Sequence, residues 1–368
     1  MPTSGDAVPR VALVHDYLTQ RGGAERVVLS MLRAFPGAPV HTSLYEPNST
    51  YGGFARADVR PLAINRVGVL RQRHRLALPL LAPSFGRLRV EADVAVCSSS
   101  GWAHGVRVSG RKVVYCHSPA KWLHQPARYE GARGVGTLAM RVLRPPLLAW
   151  DRRAAAAADR YLVNSTAVQG WVRDAYGIDA EILAPPAGVD PSGPAEEVPG
   201  IEPGFLLCVS RLMRYKNVGA VVDGVASLPH ERLVVVGSGP EAAALAERRA
   251  PNVTLVSDLS DAQLRWLYRS SSALVAAAQE DFGLTPLEAG SFGKPVVALR
   301  WGGFLDTVRE GETGVFMDEA TPVAVAEAVG RLRSETWDEG LIEAHAGTYS
   351  EERFIERLRA IVTEEAGR

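Results

Sequence analysis

The side chains best placed to do chemistry lie within QEDFGLTPLEAGSFGKPVVALR, residues 279–300. Glu280 and Glu288 flank a short loop that follows the apolar run ALVAAA. Two carboxylates can accept hydrogen bonds from sugar or ribose hydroxyls. The loop between them passes through Gly283, Leu284 and Thr285, from a strand's C-terminal end into a helix. Backbone N–H groups converge at such a spot and favour phosphate. Ligands of open α/β sheets also bind there. Thr285, Pro286 and Glu288 fit a capping box with proline at the first helical position. Glu288 therefore has a structural alternative as the capping acid, and Glu280 has one as a solvated loop acid.

Upstream, the run FLLCVS leads through Ser210 into Arg211, Arg214 and Lys216. A guanidinium that bonds in two places, beside a compact ammonium, suits a diphosphate. A solvated basic loop is the plainer alternative. In the first half, His15 and Asp16 end a strand, and Gly22-Gly23 open a helix. Paired glycines let backbone approach a ligand at a helix N-terminus, or simply make a turn. His117 follows the strand KVVYC and precedes Ser118-Pro119. It is expected to face a crevice between two domains, or to be a satisfied structural histidine. Lys121, Trp122 and His124 follow it, on the acceptor side. Gly237, Gly239 and Ala242 fit G-x-G-x-x-A, with Asp258 further on. That is nearly a dinucleotide fingerprint, although a tight strand-to-helix turn needs glycine anyway.

Regular elements must position these groups. Short apolar runs at 11–14, 94–97, 112–116 and 160–164 recur at 205–210, 232–237, 253–256, 273–278 and 295–300. Helical patterns separate them, the first from about Ala24 to Phe35. Fully apolar strands between helices mean parallel sheets covered on both faces. This is the α/β doubly wound class. A chain of 368 residues suggests two domains. The stretch 185–204, rich in proline and glycine, is the expected linker between 1–184 and 205–348. The amphipathic helix at 349–368 could pack on either domain.

Composition excludes several classes. Cys97, Cys116 and Cys208 fit neither a zinc site nor a disulfide framework, so a reducing cytoplasm is expected. The first ten residues lack a signal core, and no apolar run is long enough to span a membrane. The net charge of +0 hides an asymmetry. Residues 1–180 hold 24 basic and 12 acidic side chains, and 181–368 hold 17 and 29. Residues 60–90 carry seven arginines, no acid and many leucines. That mixture suits an anionic membrane surface, or a solvated helix over a core stripe. No nucleic-acid motif accompanies it.

Together these residues resemble family 4 of the retaining glycosyltransferases, whose GT-B fold has two Rossmann-like domains facing across a cleft. The matching motifs are Glu280 to Glu288, Ser210-Arg211-Leu212 through Lys216, Gly22-Gly23, His117-Ser118-Pro119 and the turn at 237–241. The resemblance implies that Arg211 and Lys216 clamp the diphosphate and that Gly23 contacts phosphate. It implies that Glu280 holds sugar hydroxyls, that Glu288 binds ribose, and that His117 lies near the reacting carbon. Amides near Gly283, Leu284 and Thr285 would meet sugar or phosphate, Asp16 would lie toward the acceptor, and the C-terminal helix would return to the first domain. Transfer would retain configuration without a metal or other cofactor, the nucleotide-sugar being a co-substrate; no D-x-D metal site is present. The segments HDYLTQRGGAERV and YCHSPAKWL resemble a bacterial subgroup with mannosyltransferases of polysaccharide assembly. That implies GDP-mannose first and a UDP-sugar second, a glycan or lipid-linked acceptor, and a place at the inner face of the plasma membrane. A nucleotide-sugar epimerase, a non-catalytic sugar-nucleotide-binding protein and an NAD-dependent oxidoreductase are the alternatives.

Overall fold

The computed structural model describes residues 9–72, 77–124 and 136–368. The chain forms two compact units. One comprises the residues up to Pro185 together with Glu351–Arg368; the other is Pro186–Ser350.

The first unit is built on strands β1 (Val11–His15), β2 (Val40–Thr42), β3 (Val59–Pro61), β4 (Val94–Ser99), β5 (Arg111–Cys116), β6 (Arg160–Val163) and β7 (Glu181–Ile182). Their order in the sheet is β3-β2-β1-β4-β5-β6-β7, and every pair is parallel. Alternate residues feed two cores. Ala12, Val14, Cys97, Val114 and Val163 point to one face. Leu13, Val94, Val96, Val113 and Leu162 point to the other. Period two with both faces apolar is what a covered parallel sheet requires.

Helices α1 (Gly23–Ala34) and α2 (Glu351–Ala366) cover the second of these faces. Phe354, Leu358, Ile361 and Val362 of α2 are buried there beside Val27, Val28 and Met31 of α1. Arg359 donates from Nε to the carbonyl of Ala34 at 2.8 Å, serving an orphan acceptor at the end of α1. The fully buried Glu365 accepts from Arg111 at 3.0 Å.

The second unit repeats the plan with β8 (Leu206–Val209), β9 (Leu233–Val236), β10 (Val253–Val256), β11 (Ala273–Ala276), β12 (Val296–Leu299) and β13 (Gly314–Met317). The order is β10-β9-β8-β11-β12-β13, again all parallel. The order reverses beside β8, the position where doubly wound sheets bind ligands.

Residues 185–204, the expected linker, are tied down along their length. Val198 and Ile201 enter the core of the second unit. Arg265 and Arg269 hold the carbonyls of Asp190, Pro194 and Pro191 at 2.8–3.2 Å. Two apolar side chains and three captured carbonyls make this segment a strap on its own unit.

The return helix gives a direct test. Leu358→Ala, at a fully buried position, should destabilise the protein by about 2–5 kcal/mol in denaturant unfolding. Val323→Ala, at a position 66% exposed, should change stability by less than about 0.5 kcal/mol.

Candidate active site

In the second unit, the loop after β8 and the loop after β11 meet. The Nζ of Lys216 forms an ion pair with the Glu280 carboxylate. Asn217 holds a left-handed conformation, φ 53°, and donates from Nδ2 to the carbonyl of Ala277 at 3.0 Å. Lys216 is buried. Burial works against its charge, but the neighbouring Glu280 carboxylate outweighs that and leaves the ammonium above its usual value. Arg211 remains exposed and donates from Nη2 to the Tyr215 hydroxyl at 3.1 Å. The structure thus joins Lys216 and Glu280 in one charged pair and leaves a guanidinium in solvent on the same loop.

Two glycine positions explain the surrounding backbone. A Cβ at Gly237 would lie 1.9 Å from the Ser210 carbonyl, and one at Gly239 would lie 2.4 Å from that of Leu212. These glycines admit the Ser210–Leu212 backbone, which accounts for the dinucleotide-like pattern by packing. Gly283 has φ +92°, and a Cβ there would meet the Phe304 ring at 2.4 Å. Phe304 follows Gly303, whose N–H donates to the Glu280 carbonyl at 3.0 Å. The segment after β12 therefore braces the Glu280 loop.

The expected capping box at Thr285 does not form. The helix spans Leu284–Gly290 with Gly283 as N-cap and no side-chain cap. Its start lies before Thr285 because Gly283 makes the left-handed turn itself. Glu288 is buried and accepts from the Tyr268 hydroxyl at 2.6 Å. Tyr268 is fully buried and stacks on Phe292 at 5.6 Å. Glu288 thus has a structural partner, though a different one from that expected.

In the first unit, three buried side chains line the C-terminal ends of adjacent strands β1, β4 and β5. His15 Nδ1 lies 3.0 Å from Ser98 Oγ, which lies 2.8 Å from His117 Nε2. Burial lowers His15 to about 4. Burial, with a smaller contribution from His15, lowers His117 to about 3. Both imidazoles are therefore neutral at pH 7.

Asp16 does not reach outward as an acceptor-side group. Its carboxylate accepts from the amides of Ser100, Trp102 and Ala103 at 2.6–3.1 Å. Burial raises it to about 6 despite those amides. Trp122 stacks on Trp102 at 5.0 Å, and the Lys121 ammonium lies 6.0 Å from the Trp171 ring. At the start of α1, a Cβ on Gly22 would meet the Glu25 carboxylate at 2.5 Å. That acid shares the positive helix end which Gly22 and Gly23 were expected to offer to phosphate.

Sequence reasoning missed Ser98, Tyr268, Glu25 and the Gly303–Phe304 brace. Ser98 had one available signal: it follows the apolar run VAVC as His15 follows VALV, at the end of a strand.

Residues 21–192 match the model described as Glycosyltransferase Family 4, and residues 203–335 match Glycosyl transferases group 1. A D-inositol 3-phosphate glycosyltransferase of Acidothermus cellulolyticus is 31% identical over 48% of this chain and 46% of its own length. The α-1,3/1,6-mannosyltransferase alg-2 of Neurospora crassa is 26% identical over 67% of this chain and 63% of its own length. The chain thus spans about half the length of the curated relatives it matches. Anabaena Alr3699/HepE, solved with UDP and glucose, superposes with TM-score 0.68 at 16% identity, over 97% of this chain and 100% of its own. WaaG, a glycosyltransferase involved in lipopolysaccharide biosynthesis, superposes with TM-score 0.63 at 18% identity, over 96% of this chain and 99% of its own.

Two measurements follow from the geometry. Tyr268→Phe leaves the buried Glu288 carboxylate without its donor and should cost about 1–3 kcal/mol in unfolding stability; an unchanged stability would show that the carboxylate is solvated. The second measurement is acid sensitivity. Unfolded histidines titrate near 6.5 while His117 stays neutral to about 3. Stability is therefore complete above pH 6.5 and is lost as pH falls below it. Asp16, raised by burial, acts in the opposite sense between about 3.8 and 6, so the comparison is made against a variant. Between pH 7 and 5, His117→Gln should lose roughly 2 kcal/mol less stability than the wild type; parallel slopes would contradict the assignment.

Proposed function

Because the chain belongs to the family 4 glycosyltransferases of GT-B fold, we propose that it transfers a hexosyl group from a nucleoside diphosphate sugar to a glycan or lipid-linked acceptor. The observation that carries this reading is the Lys216–Glu280 pair beside exposed Arg211. A cation for phosphate and a carboxylate for sugar hydroxyls are held together on two loops at the ligand-binding edge of one sheet.

In the proposed reaction the bond from the anomeric carbon to the diphosphate oxygen breaks, and its electron pair stays on the diphosphate. Arg211 and Lys216 stabilise that charge as it develops. The acceptor hydroxyl attacks from the same face, forms the new glycosidic bond, and passes its proton to the departing oxygen. Configuration is retained, no enzyme nucleophile is required, and the chemistry needs no metal. Glu280 would accept from sugar hydroxyls, Glu288 from the ribose, and neutral His117 would contact the sugar near the reacting carbon. Amides of Ser210, Gly283, Leu284 and Thr285 would contribute in the second unit, and those of Gly22 and Gly23 in the first.

GDP-mannose is the first donor, supported by the mannosyltransferase relative. A UDP-sugar is the second, supported by the fold neighbour solved with UDP-glucose. A panel of GDP-, UDP-, ADP- and dTDP-sugars in thermal unfolding should single out one donor. Stabilisation of about 2.7 kcal/mol is expected at 100 times its dissociation constant. Release of free nucleoside diphosphate only with an acceptor present separates transfer from epimerisation and from simple binding. Stabilisation by NAD(H) alone would overturn the reading.

The reading also includes work in the cytoplasm at an anionic membrane face. No helix among the described residues is long and apolar enough to cross a membrane. Val67, Val69 and Leu80 are about half exposed, at 50%, 58% and 49%. Arg66, Arg87 and Arg89 are exposed in the same stretch. Arg71 pairs with Glu46 at 3.3 Å, and Arg73 and Arg75 lie outside the described residues. Replacing Arg66, Arg87 and Arg89 together by Ala should weaken binding to anionic vesicles in sedimentation by about a hundredfold, near 1 kcal/mol per side chain. Unchanged binding would remove the membrane role.

A further inference from the structure

The row His15–Ser98–His117 is more than a buried polar cluster. All three side chains are buried, at 2%, 1% and 9% exposure. Strand register makes the row: His15 of β1 lies opposite Ser98 of β4, and His117 follows the end of β5, which pairs with β4. Other contacts fix the His117 ring and its backbone. Tyr115 meets it edge-on at 5.2 Å, and Asn164 Nδ2 donates to its carbonyl at 3.1 Å.

A serine hydroxyl carries one proton. It can donate to one of the two nitrogens that face it and must accept from the other. Each neutral imidazole has one N–H and one bare nitrogen. We propose that Ser98 is a positioning residue which forces opposite protonation on His15 Nδ1 and His117 Nε2, and so locks His117 in a single tautomer. A second contact favours one direction. His15 Nδ1 also lies 3.2 Å from the Ser98 carbonyl, which can only accept. A proton on His15 Nδ1 serves that carbonyl and the hydroxyl together. The Tyr17 backbone also favours a proton on His15. The hydroxyl then donates to His117 Nε2, and His117 keeps its proton on Nδ1. A locked neutral imidazole offers one fixed N–H, where a free one would offer either a donor or an acceptor. The functional part of this inference rests on the proposal that His117 contacts the donor sugar. The lock itself does not.

The test is two-bond ¹H–¹⁵N correlation spectroscopy of the imidazoles at pH 7 in the full-length protein, with Ser98→Ala, Ser98→Thr and His117→Gln variants. In the wild type, one of His15 Nδ1 and His117 Nε2 should read as protonated and the other as bare. In Ser98→Ala, His117 should shift to a mixture of tautomers, and Ser98→Thr, which keeps the hydroxyl, should restore the wild-type pattern. Two protonated nitrogens, two bare ones, or an unchanged His117 in Ser98→Ala would overturn the lock. The same variants separate the lock from its use. Ser98→Ala should lower kcat by about tenfold with donor KM within about threefold, and Ser98→Thr should recover most of it. If the tautomers mix while kcat stays at the wild-type value, the lock stands and the role of His117 in transfer fails.

Discussion

The constraint on which the rest of each unit depends is that its main sheet is wholly parallel. Parallel strands need a crossover after each one, so every strand ends at the same edge. The crossover helices cover both faces and leave the strands almost purely apolar. Chemistry can then sit only where the chain leaves the sheet. In the second unit that edge carries Ser210, Gly237, Glu280 and Gly303; in the first it carries His15, Ser98 and His117. Side chains more than sixty residues apart, such as Lys216 and Glu280, meet there without any dedicated scaffold.

Polar groups at these edges are buried, so each needs a partner, and the partners define the sites. Lys216 keeps its charge because Glu280 is beside it. Glu288 has the Tyr268 hydroxyl. Asp16 is held by three backbone amides. The same holds away from the strand ends: Asp151, fully buried within the helix Gly136–Ala156, would be pushed up by burial, yet contacts from His104 and His124 bring it down to about 2. Desolvation of an unpaired charge costs several kcal/mol, so these pairings hold each buried group in place. Asp16 is committed to the fold, while Arg211 stays in solvent.

The architecture was legible because apolar runs such as LLCV and VVAL are long enough to announce buried strands. The strands Val40–Thr42, Val59–Pro61 and Glu181–Ile182 were not, because they hold only two or three residues each, and the last two lie at the sheet edges, where one flank needs no partner. Gly314–Met317, also at an edge, begins with a glycine that weakens the pattern. Residues 185–204 misled because proline and glycine content masked Val198 and Ile201, whose burial only the fold reveals. The pairing of Lys216 with Glu280 was implied by their places after two strands, but not by spacing. Tyr268 was invisible, since nothing local ties a helix tyrosine to an acid twenty residues on. The capping box failed for a related reason. Thr285-Pro286-x-Glu288 is a sound local pattern, but Gly283, wedged against Phe304, starts the helix first.

The central claim is that Lys216, fixed by Glu280, binds the diphosphate of a sugar nucleotide. Calorimetric titration of GDP and of UDP into the wild type and into Lys216→Ala tests it most directly. The account predicts that one nucleotide binds the wild type and loses at least about tenfold in affinity on removal of the ammonium, in keeping with 1.5–3 kcal/mol for a charged hydrogen bond. Equal affinity for the two proteins, or binding of neither nucleotide to the wild type, would contradict it.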